Sequence, residues 1–199
     1  MTSWLHEERL QAVLAALHRS DAARVLDLGC GDGDLFVRLA IDGRFTELAG
    51  LDICPQALDR LRARLKKLDT CVPRIRLFEG SMTDPPPDLA GFDCAILIET
   101  IEHIEPDQLS KLEKAVFRTI RPETALITTP NAEFNALLGV PAHRMRHPDH
   151  RFEWDRARFR RWSARVAASA EYSVEHHDIG GQHPDLGGAS QMAVFTRQR

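Results

Sequence analysis

The chain has 199 residues, enough for one domain with a well-buried core and tight for two. Apolar residues make up 43% and charged residues 28%, an ordinary water-soluble balance, and no apolar run reaches the roughly 18 residues that a membrane span needs. The formal charge of −3 excludes a chain built throughout as a polycation, but the distribution is uneven. Between Arg144 and Arg165 lie eight arginines against three acids, Asp149, Glu153 and Asp155. Taken alone, such a stretch is a solvated helix face.

In chain order, MTSWLHEERLQAVLAALHRS is interrupted early by acids and reads as an amphipathic helix over Trp4–Arg19, not a secretory signal. Strands are expected over Arg24–Cys30, Glu47–Ile53, Arg74–Ser81, Cys94–Glu99, Ala125–Thr129, Ser173–Asp178 and Gln191–Thr196. Helices are expected over Asp34–Ile41, Pro55–Leu68, Pro106–Ile120, Asn131–Leu138 and Asp155–Ala170, with Pro55 and Pro106 in first turns, where a missing N–H costs nothing. The β-α-β alternation predicts a seven-stranded, mostly parallel sheet with helices on both faces. The last two strands have no helix between them, only a loop holding Gly180, Gly181, Gly187 and Gly188, so they form an antiparallel pair. This is a Rossmann-like α/β pattern closed by an antiparallel C-terminal strand, as in class I methyltransferases. The cysteines Cys30, Cys54, Cys71 and Cys94 contain no C-x-x-C pair and read as reduced core thiols of a cytoplasmic protein.

The first strand runs into Asp27-Leu28-Gly29-Cys30-Gly31-Asp32-Gly33-Asp34, where glycines let a ligand approach the backbone. A dinucleotide fingerprint wants a third glycine three positions after Gly31, and Asp34 stands there. Asp27 and Asp34 would repel a pyrophosphate, whereas carboxylates suit the ammonium and sulfonium charges of S-adenosylmethionine. Asp52 ends the second strand and can accept both ribose hydroxyls; Gly80-Ser81 ends the third and can lie beside an adenine.

The fourth strand ends in Glu99-Thr100-Ile101-Glu102-His103. Residues at i, i+3 and i+4 share a face of a helical turn, so Glu99, Glu102 and His103 can converge on a divalent cation such as Mg²⁺, Mn²⁺, Co²⁺ or Zn²⁺. A capping acid, a solvated acid and a surface histidine explain the spacing equally well. A fourth ligand is expected from His143, His147 or His150.

Asp-Leu-Gly-Cys-Gly-Asp-Gly followed by Gly-Leu-Asp-Ile resembles the cofactor motifs of class I methyltransferases. E-x-x-E-H, then T-P-N-A-E-F-N, then R-H-P-D-H-R-F-E-W-D-R, with Q-M-A-V-F near the end, resemble the HEN-type small-RNA 2′-O-methyltransferases. The resemblance implies methyl transfer to the 2′-hydroxyl of an RNA 3′-terminal nucleotide, with Glu99, Glu102, His103 and His150 on the family's metal ligands and Mn²⁺, Mg²⁺ or Co²⁺ as the metal. Glu102, His103 and His150 then belong to the catalytic set, with His103 or a neighbouring histidine taking the hydroxyl proton. It also implies an RNA end-repair enzyme as a partner in bacteria. The chain departs from the family at Asp155, where Thr is usual, and in Gly188-Ala189-Ser190-Gln191, where relatives often show G-x-P-T-Q.

On this reading the single domain divides into an N-terminal helix (1–20), a cofactor-binding core (21–130), an RNA- and metal-binding segment (131–170) and a C-terminal strand pair (171–199), and acts as a monomer. Arg144, Arg146, Arg151 and Arg156 are expected to hold phosphates and Asn131 to position the ribose or base. Phe152, Trp154, Phe159 and Trp162 are expected to face the core, with one of them available to stack on a base. Two other functions fit parts of the pattern: a metal-dependent small-molecule O-methyltransferase, which has no use for the arginines, and a non-catalytic RNA-binding module, which has no use for the glutamate–histidine cluster.

Overall fold

The structure is a computed structural model and describes residues 4–198. Residues 1–3 of the expected N-terminal segment and 199 of the C-terminal one lie outside the described residues. The strands are β1 (Arg24–Leu28), β2 (Glu47–Asp52), β3 (Arg74–Glu79), β4 (Cys94–Ile98), β5 (Thr124–Pro130), β6 (Tyr172–Ile179) and β7 (Ser190–Arg197). They form one sheet in the order β3-β2-β1-β4-β5-β7-β6, in which β7 runs against both of its neighbours. The seven-stranded, mostly parallel expectation therefore holds.

Among the described residues, five α-helices flank the sheet: α1 (Trp4–Arg19), α2 (Phe36–Ala40), α3 (Pro55–Leu65), α4 (Leu109–Lys114) and α5 (Arg156–Ala170). Side chains alternate across each strand, so successive residues feed two cores. Val25, Leu48, Ile96 and Leu126 pack with Leu10, Val13 and Leu17 of α1, Leu39 of α2 and Leu58 of α3. Leu26, Ala49, Leu97 and Ile127 pack on the other face with Leu112 of α4 and Phe159, Trp162 and Val166 of α5. Phe152, Trp154, Phe159 and Trp162 are all buried, and the Arg158 guanidinium, 5.5 Å from the ring centroid, covers Trp154.

Several boundaries move for local reasons. β1 stops at Leu28 because Gly29 takes φ +81°, outside the strand region. The expected helix over Pro106–Ile120 begins as a 3₁₀ turn (Pro106–Gln108), continues as α4 and widens to π winding over Ala115–Ile120. The segment Ala132–Leu138 is a 3₁₀ helix, capped by Asn131, whose side-chain oxygen accepts from Glu133 N at 3.0 Å. Asp155, the departure from the family's usual Thr, caps α5 by accepting from Arg158 N at 2.6 Å. Of the cysteines, Cys30 and Cys94 are buried, but Cys71 is exposed and Cys54 half-buried; all four are free thiols.

Candidate active site

β1 sits between β2 and β4, and the connections from β1 and β4 leave toward opposite sides of the sheet. That divergence opens a crevice beyond the carboxyl ends of these strands, where open α/β sheets bind ligands. The glycine loop after β1 and Glu99 after β4 therefore become neighbours, although far apart in sequence. Gly29 shows the closeness directly: a Cβ there would collide with Thr100 Cγ2, one residue past Glu99.

On the cofactor side, Asp27 is buried, and desolvation followed by the charge of Asp52 pushes its carboxyl up to about 7. Asp52 accepts from Gly31 N at 2.7 Å and from Cys54 N at 2.8 Å, which fixes both the loop and the carboxylate. Ser81 shares a 2.7 Å hydrogen bond with Thr83 at the end of β3. Asp34 takes a different position from Asp27. It is half exposed and pairs with Arg64 at 2.8 Å and His6 at 3.3 Å, both holding its carboxyl below the usual range, Arg64 more strongly. A cavity of about 160 Å³ lies over Asp27, Gly29 and Gly33, and His6 and Leu10 of α1 form its outer wall. α1 is tied across this cavity by a bidentate pair between Glu7 and Arg38, at 2.6 and 2.7 Å.

On the β4 side, Glu99 adopts φ +50°, a left-handed conformation that is strained for a residue with a Cβ. Its Oε1 accepts from Thr128 at 3.0 Å; its Oε2 accepts from Ser190 at 3.3 Å and lies 3.3 Å from Arg9 of α1. Glu102 is fully buried; Oε2 accepts from Thr129 at 3.0 Å, and Oε1 has no partner among the described residues. Burial first, then the charge of Glu99, drives the Glu102 carboxyl well above the usual range. The site thus holds two adjacent acids, one paired with Arg9 and the other with an orphaned oxygen.

Three histidines line the same crevice. One nitrogen each from His103, His147 and His150 lie within 4.8 Å of one another, a spacing that fits a shared ion; the two glutamates fall outside this tightest group. His150 is buried and its Nδ1 sits 2.5 Å from Glu153 Oε1, whereas His103 and His147 are more open to solvent. Partial desolvation, then the neighbouring His150 and His147, hold His103 below the usual imidazole range, so it is neutral near pH 7. His143 is exposed and is not part of the group. The three imidazoles suit a borderline divalent cation, and the orphaned oxygen of Glu102 is a separate buried acceptor outside that group.

The arginines divide. Arg144 is exposed and pairs with no acid among the described residues, and Arg151 is exposed and paired with Glu105 at 2.9 Å. Arg156 is partly exposed and paired with Glu133 at 2.6 Å. Arg146, expected to hold phosphate, turns inward. It donates to Asn135 Oδ1 at 2.5 Å, to Ala189 O at 2.7 Å and to Asn131 O, so each of its three nitrogens is engaged inside the protein. Asn131 also faces inward; its amide donates to Leu186 O at 2.8 Å and Gly188 O at 2.9 Å, pinning the β6–β7 loop. A cradle of buried carbonyls claims both side chains.

Sequence reasoning placed Thr129 at the rim beside Asn131 but missed Arg9, Thr128, Glu153 and Ser190. Arg9 had a signal: it lies on the stripe of α1 that also carries Val13 and Ala16, both buried, and a charge on an apolar stripe marks a partner inside.

A family model described as a methyltransferase domain matches residues 25–123. The small RNA 2′-O-methyltransferase of Gallus gallus is 38% identical over 205 residues, covering 98% of this chain and 54% of the relative. A bacterial methyltransferase domain, CtHen1-C, superposes with a TM-score of 0.87 at 38% identity, covering 98% of this chain and 100% of that one. The small RNA methyltransferase HEN1 superposes with a TM-score of 0.90 at 31% identity, covering 98% of this chain and 26% of that one. The chain spans about half the length of the Gallus gallus relative.

Proposed function

The chain belongs to the small-RNA 2′-O-methyltransferase family, and from that premise we propose that it transfers a methyl group from S-adenosylmethionine to the 2′-hydroxyl of the 3′-terminal nucleotide of RNA. The observation that carries this reading is Glu102, a buried acid with an unpartnered oxygen, set beside Glu99 and next to the cofactor loop.

Asp27 receives the cofactor's ammonium, Asp52 its ribose hydroxyls, and Ser81 borders its adenine. Glu99, Glu102, His103 and His150 hold a divalent cation, Mn²⁺, Mg²⁺ or Co²⁺. When bound, such a cation acidifies a vicinal diol and orients it for attack. Recognition of both the 2′- and 3′-hydroxyl selects a free RNA 3′ end without reading a base. A neighbouring histidine that does not ligate the ion, such as His147, takes the proton released as the new O–CH₃ bond forms. The sulfonium leaves as a neutral thioether, so no acid is needed opposite. Arg144, Arg151 and Arg156 hold phosphates upstream of the terminal ribose, which favours RNA over a small neutral alcohol.

This reading includes an RNA end-repair enzyme as partner, a monomeric domain and the cytoplasm. Four free thiols support a reducing compartment, and among the described residues no helix is long and apolar enough to cross a membrane. Transfer of labelled methyl to a short RNA, lost on chelation and restored by Mn²⁺ or Co²⁺, tests the function. No transfer to any RNA with either metal overturns it.

A further inference from the structure

From the hydrogen bonds around His150 we infer that Glu153 is the positioning residue of the metal site: it fixes the His150 tautomer so that Nε2 faces the ion. Glu153 Oε1 lies 2.5 Å from His150 Nδ1, and the Glu153 side chain is only 3% exposed. Both Glu153 oxygens already accept N–H bonds, so the group faces His150 as an acceptor and Nδ1 is the donor, which leaves the Nε2 lone pair to face the ion. Histidines that bind metals recurrently give their second N–H to such a carboxylate, and the partner raises the basicity of the coordinating nitrogen.

Glu153 is itself clamped. Oε1 also accepts from Arg146 N at 2.7 Å, and Oε2 accepts from Asn135 Nδ2 at 2.6 Å. Arg146 Nε in turn donates to Asn135 Oδ1, which orients that amide so that its NH₂ faces Glu153. The Arg146 guanidinium bonds to Asn131 O and Ala189 O, which anchors the group to the end of β5 and the entry to β7. Ser190, next to Ala189, donates to Glu99 Oε2. One buried network therefore joins the loop carrying His150 to the strand ends carrying the glutamates. Arg146 is a strut of that network, which explains why its guanidinium turns inward.

His147 provides the contrast. Its Nδ1 accepts from Asp149 N at 3.2 Å, the ring is exposed, and the carboxylate paired with it is the exposed Asp149 at 3.7 Å. The same three-histidine cluster thus contains one ring locked for coordination and one held loosely at the rim.

This inference rests on the metal reading above, and its test separates the two. Nitrogen-15 NMR of the metal-free protein reads the His150 tautomer without metal or activity. The proton is expected on Nδ1 in the unaltered chain, with a mixture of tautomers in Glu153→Gln. Mn²⁺ titration by calorimetry should show affinity about 10- to 100-fold weaker in Glu153→Gln, the range for lost outer-shell partners. Asn135→Ala, which loosens the clamp but keeps the carboxylate on His150, should lose less. Nε2 protonation in the unaltered chain, or equal Mn²⁺ affinity in Glu153→Gln, overturns the inference. Should Glu153→Gln fail to fold, the tautomer of the unaltered chain still decides. No Mn²⁺ binding by the unaltered chain overturns the metal reading instead, and with it the role assigned to Glu153.

Discussion

Cofactor binding should expel a proton, and the proton should come from Asp27. In the cofactor-free fold, burial and Asp52 raise this carboxyl from an ordinary 3.8 to about 7. At about 1.36 kcal/mol per pH unit, holding Asp27 ionised without a partner costs about 4 kcal/mol. A folded-state pKa above the unfolded one means that the folded chain binds more protons between the two values. The contribution of Asp27 to stability is therefore complete below about pH 4 and lost progressively as the pH rises to about 7. A bound ammonium reverses the preference and ionises Asp27. Below pH 7 the ligand's own α-amino group, ordinarily near 7.7–8.0, stays charged. Binding of S-adenosylhomocysteine, which keeps that ammonium, should then release about 0.9 proton at pH 6 and about half a proton at pH 7, with affinity falling nearly tenfold per pH unit below 7. Calorimetry in buffers of different ionisation enthalpy counts these protons. Asp27→Asn should bind more weakly at pH 7.5 and show no pH dependence between 6 and 7. Zero proton release at pH 6 in the unaltered protein, or the same release from Asp27→Asn, would refute the assignment.

Glu102→Gln fixes the neutral form that burial and Glu99 already favour, so the metal-free protein should keep or gain thermal stability while the rise in Tm on adding Mn²⁺ disappears; scanning fluorimetry with and without Mn²⁺ reads both, and a lower metal-free Tm contradicts the charge argument. Gly29→Ala combines positive φ with a Cβ driven into Thr100, and should lose cofactor binding by calorimetry together with about 1–3 kcal/mol of stability in urea melts. Arg144→Ala with Arg151→Ala should weaken RNA binding with little regard to sequence and flatten the salt dependence by about 0.7 for each phosphate no longer neutralised; unchanged slopes in fluorescence anisotropy would remove these arginines from the interface.

The parallel core was legible because strand and helix periods differ and because glycines with acids at a strand end have few uses. Glu99, Glu102 and His103 follow one strand in a single turn, which the topology brings beside Gly29, but the group close enough to share an ion joins His103 to His147 and His150 and leaves both glutamates out. What composition could not carry was direction. Eight arginines in one stretch announce charge, but not that Arg146 points inward at carbonyls while Arg144 points out. Glu153 counted only as one of three acids among the arginines, and the folding of residues 139–153 makes it the partner of His150. Nor did residue pattern signal the π winding at Ala115–Ile120, whose Val116, Phe117 and Ile120 lie in the core.

The central claim is that a metal-dependent site selects the free 3′ end of RNA. The most direct measurement is methyl transfer, with Mn²⁺ present, to one short RNA carrying free terminal 2′- and 3′-hydroxyls, compared with its 3′-phosphate and its terminal 2′-deoxy version. Methylation of the first alone, on the terminal 2′-oxygen, is the predicted result. Comparable methylation of the 3′-phosphate form, or a methyl group recovered on a base, would contradict it.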